Sequence, residues 1–507
     1  MLDCKSFVNI NGNERIGGIV GNVGTGLHAE RVSYEGNLES SSNYAGGIVG
    51  YITASELVSF DSSINNGSIT CAGNYSGGIA GYFDADAASS LVSSKNHGDV
   101  CGVENIGGIV GAFVRGNINN CKNTGNVVAS GDNSGGICGS SNDNTVYDQN
   151  ENSGAVTGLK YTGGIVGLTE GTTELNDCLN TASVSGADCV GGIFGITKYS
   201  SISESANNVV VEYCVNNGSV SASGTDAGGI GGMANNSSSL KIKFNLRQCL
   251  NTGNVTAKGY VAGIVGRTST SNPGSLISNV TNTGTITGTD MTDYEHFDLT
   301  DAAGLVGSLG IEIQGGWNKG DVIGKYHGVA GITGFASVKI DSCINEGKIT
   351  GELSAAGLAD KSRNVVSNCI NLGDVYAEYQ MAAGLVASSS AVPAKATLYN
   401  CYSIGSVNCP GVDGQTGVIF AIAYGPINSC FTTTDSKING VNVSEDPAVY
   451  TAQLAGKNGT LNKSYVFSNT QKFNPAATWN STWDPAIWDN LEENKLPTLK
   501  NCGYTPH

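Results

Sequence analysis

Two groups of side chains in this sequence are of types that do chemistry. The first is cysteine. Eight of the fifteen stand at one position of a recurring pattern, two residues before a corner element: Cys121, Cys178, Cys214, Cys249, Cys343, Cys369, Cys401 and Cys430. Equal placement in successive repeats predicts a column of thiols. The column is either a buried ladder in which each thiol fills space as a small apolar group, or a set of cross-coil bridges, because strands about 4.8 Å apart lie within the Cα range of a disulfide. An odd total leaves at least one thiol free in a monomer. The pattern argues against zinc, since there is no Cys-x-x-Cys pair and the five His are scattered.

The second group is the acidic insertion "TDMTDYEHFDLTDA" between Thr289 and Ala302, which carries Asp290, Asp293, Glu295, Asp298 and Asp301. Calcium needs several oxygens converging on one point, and this spacing matches no such loop. The expectation is a solvated loop that holds no metal or cofactor and offers a candidate ligand-contact surface. The stretches "KYSSISESANNVVVEY" and "NNSSSLKIKFNLRQ", the latter beginning at Asn235, read likewise as loops on a rigid frame, where binding usually resides. Signatures of catalysis are missing: there is no His-Glu-x-x-His and no Gly-x-Ser-x-Gly, and the Gly-Lys pairs at Gly324, Gly347 and Gly456 are not followed by Ser or Thr. Enzymes that cleave polysaccharides gather carboxylates in a groove, often with Lys or Arg. Here the basic residues are few and dispersed.

The elements that must position these residues are repeats. The pentapeptide "GGIVG" at 46–50 returns in variants along the chain, its second glycine falling at Gly18, Gly47, Gly78, Gly108, Gly136, Gly164, Gly192, Gly229, Gly263, Gly304, Gly331, Gly357, Gly384 and Gly417. The spacing of about 31 residues is that of a solenoid or propeller, and the low aromatic content speaks against propeller blades. The next residue is always aliphatic and the one after it drifts, so strand alternation predicts that Ile109 faces a packed interior and Val110 faces out. About nine to eleven residues earlier stands Asn-x-Gly-x-(Val/Ile), as at Asn65, Asn96, Asn123, Asn216, Asn345 and Asn371. Asn and Gly tolerate left-handed backbone angles, so this reads as a tight corner leading into a strand. A variable segment with alternating apolar positions precedes it, giving three short strands per coil. No coil buries its apolar face alone, but stacked copies do.

Composition agrees. Gly 73 and Pro 9 among 507 residues, with aromatics at 7% and charged residues at 14%, suit narrow stacking of Ile, Val, Ala and Gly rather than a core of large side chains. The net charge of -17 argues against nucleic acid. The longest apolar run, "VIFAIAY", is too short to span a bilayer. "MLDCKSFVNI" lacks the basic start and apolar stretch of a secretory signal, and the expectation is a piece of a longer exported protein.

The pairing of "GGIVG" with Cys-x-Asn-x-Gly-x-Val over roughly residues 8 to 430 resembles the GLUG-motif repeats of bacterial surface proteins, including stalk regions of some immunoglobulin A metallopeptidases. The tail "WNSTWDPAIWDNLEENKLPTLKN" resembles the segment that closes such arrays, and its aromatics, with Trp483 and Trp488 among them, could cover an open apolar end. The expected fold is all-β: a right-handed parallel β-solenoid of about 14 coils over residues 1–430 with a small C-terminal cap over 431–507, the handedness following the general rule for parallel crossovers. What the resemblance implies is a non-enzymatic stalk or adhesin region, extracellular and monomeric in isolation, contacting a surface protein or glycan of host or bacterium, with no nucleic-acid partner and no membrane insertion. A carbohydrate-active β-helix enzyme and a non-catalytic segment of a surface metallopeptidase are the alternatives.

Overall fold

Each sequence repeat closes one turn of a right-handed parallel β-solenoid, of which there are about 13. The structure, a computed structural model, describes residues 1–142, 144–198, 207–234, 242–269, 274–289, 302–325, 327–389, 396–411, 414–422, 425–446, 449, 453–454, 460–462, 464–467, 483–491 and 495–505. They divide into two compact units, Met1–Asn254 with Thr270–Gly274, and Val255–Ser269 with Ser275–Pro506. The division falls inside the repeat array.

One coil of the first unit shows the plan: β1 (Gly116–Asn119), β2 (Lys122–Asn123), β3 (Val127–Ala129), β4 (Ser134–Gly135) and β5 (Cys138–Ser141). The three strand elements expected from sequence are all present. The variable segment is β1, while the Asn-x-Gly element bends into β2 and β3 and the Gly-Gly element into β4 and β5. Every segment pairs in parallel with its equivalent in the following coil, as Ile118 with Tyr147, Asn123 with Asn152, Val127 with Val156, Gly135 with Gly163 and Ser140 with Leu168. Constant register puts like positions in columns, so a residue type repeated in sequence becomes a line of that side chain in space.

The left-handed corners are not where the sequence suggested. They fall between β1 and β2, at Asn120 (φ 53°), and between β3 and β4, at Asn133 (φ 62°), with Ser62, Ser93 and Asp177 or Tyr44, Tyr75 and Tyr161 in the equivalent places of other coils. The Asn-x-Gly element instead forms a buried ladder. In the first unit Nδ2 of Asn65, Asn96, Asn123, Asn152, Asn180 and Asn216 donates to the carbonyl two residues on, at 2.7–2.9 Å. The same nitrogens donate to Oδ1 of the next Asn, ending on Asn251, at 2.7–2.8 Å. In the second unit Asn282, Asn318, Asn345 and Asn371 repeat the pattern, the last donating to Ser403 Oγ at 3.2 Å. A fully buried amide is tolerated because the ladder satisfies its donors and its acceptor at once. Glycine follows because a Cβ on Gly125 would strike the Gly98 carbonyl of the preceding coil, and one on the second glycine of the pentapeptide, Gly108, would strike the Gly136 carbonyl and the Asn123 side chain. The two motifs are thus two sides of one packing unit.

The expected alternation at the pentapeptide is also overturned. Ile109 and Val110 are both fully buried. Their N–H groups both donate to one carbonyl, Ile137 O, at 2.9 Å. The register stays residue for residue, Gly107 with Gly135 and Val110 with Cys138, so this is a bend repeated in each coil, and it turns consecutive side chains inward. Ile48 and Val49 share Ile79 O in the same way, at 3.0 Å each.

Among the described residues, the C-terminal aromatics line a flank of the second unit and not one of its ends. Trp483 and Trp488 pack along its flank on an outward column made by Ile344, Ile370, Tyr402 and Phe431. Tyr402 Oη donates to Pro497 O at 2.7 Å, Gly503 N to Gly315 O at 2.7 Å, and Tyr504 N to Thr281 Oγ1 at 2.8 Å, so residues 483–491 and 495–505 form a strap running back along the coils. The column it covers is β2-type and apolar here. In the first unit the equivalent positions include Lys95, Lys122 and Glu151, which need no cover.

Candidate functional site

The acidic candidates Asp290, Asp293, Glu295, Asp298 and Asp301 lie outside the described residues, as does Asn235. The described flanks of the acidic insertion, Ile286–Gly288 and Ala302–Ala303, keep their places in their ladders, so it enters the coil at a corner without displacing either strand.

The cysteine column forms as expected but in separate runs, interrupted by Asn150 in the first unit and preceded by Val280 and Gly316 in the second, before Cys343. All eight residues are buried and all fifteen cysteines are free thiols. Asn150 takes the place between Cys121 and Cys178, where its Oδ1 accepts from Cys121 N at 2.9 Å and its Nδ2 donates to Ile118 O at 2.7 Å. In the second unit Cys343 N donates to Cys369 Sγ and Cys369 N to Cys401 Sγ, each at 3.4 Å. The thiols themselves donate to local carbonyls, as Cys178 Sγ to Asn176 O at 3.3 Å and Cys401 Sγ to Tyr399 O at 3.1 Å. Burial pushes the Cys121 thiol up to about 12 and holds Cys178, Cys214, Cys343, Cys369 and Cys401 well above the ordinary range. A neutral, enclosed thiol is neither nucleophile nor metal ligand. The column is core.

A further site, built from tyrosines, lies on the first unit. Two coils share the frame Asn-Tyr-x-Gly-Gly-Ile-x-Gly-Tyr, "NYAGGIVGY" and "NYSGGIAGY". The left-handed corner projects Tyr44 and Tyr75, and the strand after the Gly-Gly bend projects Tyr51 and Tyr82. Equivalent rings stack between coils, Tyr44 on Tyr75 with centroids 5.0 Å apart and Tyr51 on Tyr82 at 5.3 Å, and the two stacks meet edge to face at 4.7 Å and 5.5 Å. The result is a two-by-two block of half-buried rings. One end is capped by the Arg15 guanidinium, 4.4 Å from the Tyr51 ring centre. At the other end the columns continue as Asn105 and Ala112, then Asn133 and Ser140, so the stacks stop and a groove of about 260 Å³ opens. Its lining combines Tyr75, Tyr82 and the apolar Ala112, Phe113, Val114 and Leu168 with the polar Asn105, Ser140, Asn142 and Glu170. Burial, with Asp84 adding to it, raises the Tyr82 phenol to about 12, so it stays a neutral donor at any working pH. The signal was legible as tyrosine at two fixed offsets from the Gly-Gly pair in adjacent repeats.

A second polar cluster occupies the second unit. Asp360 stands where most coils have the last glycine of the pentapeptide, its carboxylate accepting from Gly328 N at 3.1 Å, beside His327, whose Nδ1 meets Ser354 Oγ at 3.3 Å. Ser354 and Asp360 are buried, and His327 is half-buried.

No family model, no curated protein and no solved structure matches this chain.

Proposed function

We propose that this chain is a non-enzymatic stalk or adhesive region of an exported bacterial surface protein of the GLUG-motif kind, which makes contact with a protein or glycan partner. The observation that supports this reading best is the tyrosine block of the first unit: four half-buried rings ordered by the solenoid's own register, opening onto a groove. A packed frame holds such rings without further ordering cost, and weak contacts of this kind gain strength when many copies are displayed together. The net charge of -17 suits an extracellular surface and disfavours polyanionic partners.

The test is retention. The protein, clustered on beads, is passed over cells, mucins and immobilised glycans, and its monomeric state in solution is checked by sedimentation. Retention that exceeds that of uncoated beads and falls when the beads carry few copies is the expected result. Release of new reducing or unsaturated sugar ends from a polysaccharide, abolished by changing one carboxylate, would move the reading to a carbohydrate-active enzyme. No retention on any surface would leave a spacer.

A further inference from the structure

We infer that the groove beside Tyr75 and Tyr82 binds a neutral or amino-sugar glycan, with a pyranose ring continuing the interrupted tyrosine stack. The inference rests on the contact function proposed above and adds the site and the ligand class. Ring stacking runs Tyr44 to Tyr75 and Tyr51 to Tyr82 at close to the coil repeat, and then the next position of each column holds Asn105 or Ala112. The outer faces of the last two rings therefore line open space rather than another ring. Whatever fills that space must be flat and apolar on one side to replace the missing ring. It must also carry polar groups, because beside the apolar Ala112, Phe113, Val114 and Leu168 the lining holds the amides of Asn105 and Asn142, the Ser140 hydroxyl and the Glu170 carboxylate. A sugar ring has this make-up, with an axial C–H face and an equatorial rim of hydroxyls.

The floor fits the same ligand. Ala112 and Ser140 are small and stand in register between Tyr82 and Leu168. Three coil steps at about 4.8 Å give about 14 Å between those two walls. Asn133 Nδ2 donates to Asn105 Oδ1 at 3.1 Å, which fixes the plane of the Asn105 amide at the groove edge. Charge selects among sugars. No cationic side chain lines the groove and Glu170 is an acid, so sulfated and uronic chains are disfavoured while neutral hexoses and amino sugars are accepted. A peptide partner is the competing occupant, and the experiment separates it.

The full chain is titrated by calorimetry with neutral hexose, pentose and N-acetylhexosamine oligosaccharides, with a sulfated oligosaccharide for comparison. Two kinds of variant are used. Tyr82→Ala removes a stacking face and is expected to weaken binding about tenfold, in line with the worth of one aromatic contact. Ala112→Tyr paired with Asn105→Tyr extends the existing stack by one coil, so it fills the groove with a structure that already packs. It is expected to keep the melting temperature and abolish binding. Undiminished oligosaccharide binding in the filled variant would overturn the groove while leaving the contact function standing at another face. Binding of a bead-captured protein, lost in the filled variant with no oligosaccharide bound by the wild type, would overturn the glycan in favour of a peptide. Preference for the sulfated chain would overturn the charge argument, and no binding in solution or on beads would overturn this inference and the contact function together.

Discussion

A carboxylate placed at Val110 is buried as fully as one placed at Ile109, because the bend after Gly-Gly points both side chains into the coil. Ile109→Asp and Val110→Asp are both expected to prevent soluble folding, since an unpaired buried charge costs several kcal/mol. Val128 is 43% exposed beside the fully buried Val127, so Val128→Asp is expected to change stability by no more than about 0.5 kcal/mol. Soluble yield and thermal melting of the three variants decide it, and a soluble Val110→Asp protein would refute the shared burial. The cysteines carry a prediction in pH. Cys121 and Cys138 are enclosed, and burial raises both from an ordinary value of 9 to about 12. In the unfolded chain the thiols ionise near pH 9 while in the fold they stay protonated, so the unfolded state binds fewer protons above that point. Stability is complete below pH 9 and falls between pH 9 and about 12, by about 1.4 kcal/mol per pH unit for each such thiol. Denaturant titrations at pH 7, 9 and 10.5 measure the slope. Alkylation at pH 8 is expected to spare the eight column cysteines until the chain is unfolded.

At the scale of elements, the asparagine ladder and the strap carry the stability that small side chains cannot. Asn152 donates to Gly154 O and Asn180 Oδ1 and accepts from Asn123 Nδ2. Asn152→Asp keeps the shape and removes both donors, leaving acceptors facing a buried carboxylate. A loss of about 3 kcal/mol or more at pH 7 is expected, against about 1–3 kcal/mol for a single unsatisfied buried group. An isosteric Asp that melts with the wild type would show that the ladder is not what holds the coils in register. The strap is tested by Trp488→Ala. Trp488 is 1% exposed against Tyr402 and Trp483, so the expected cost is about 3–5 kcal/mol, with new binding of a hydrophobic dye where Ile344, Ile370 and Phe431 are uncovered. Here the sequence showed that large aromatics were gathered near the C-terminus but not where they pack. An open end and an apolar flank are equally good burial sites for Trp, and the choice depends on which column of the second unit the register makes apolar.

For the molecule as a whole, net charge and groove chemistry together predict a binding response that ignores salt. A neutral oligosaccharide makes no ion pair, so its affinity is expected to be the same at 50 and 500 mM sodium chloride, whereas a sulfated one is repelled by a chain of net charge -17 at low salt. Affinity for the neutral ligand that falls steeply with salt would contradict the assigned contacts. The sequence by itself determined that this is a β-solenoid, because a coil that cannot bury its own apolar face must repeat to fold, and the repeat is written in Gly-Gly-Ile and Asn-x-Gly at fixed spacing. It determined the cysteine column for the same reason: equal positions in equal coils must coincide. Tertiary structure alone decided how each motif is used. Both residues after Gly-Gly turn inward because two N–H groups share one carbonyl. The corner Asn is a ladder rather than a left-handed turn because a neighbouring coil supplies its acceptor. Four tyrosines become one surface because their corner and strand positions, seven residues apart in sequence, meet only when the chain has bent between them.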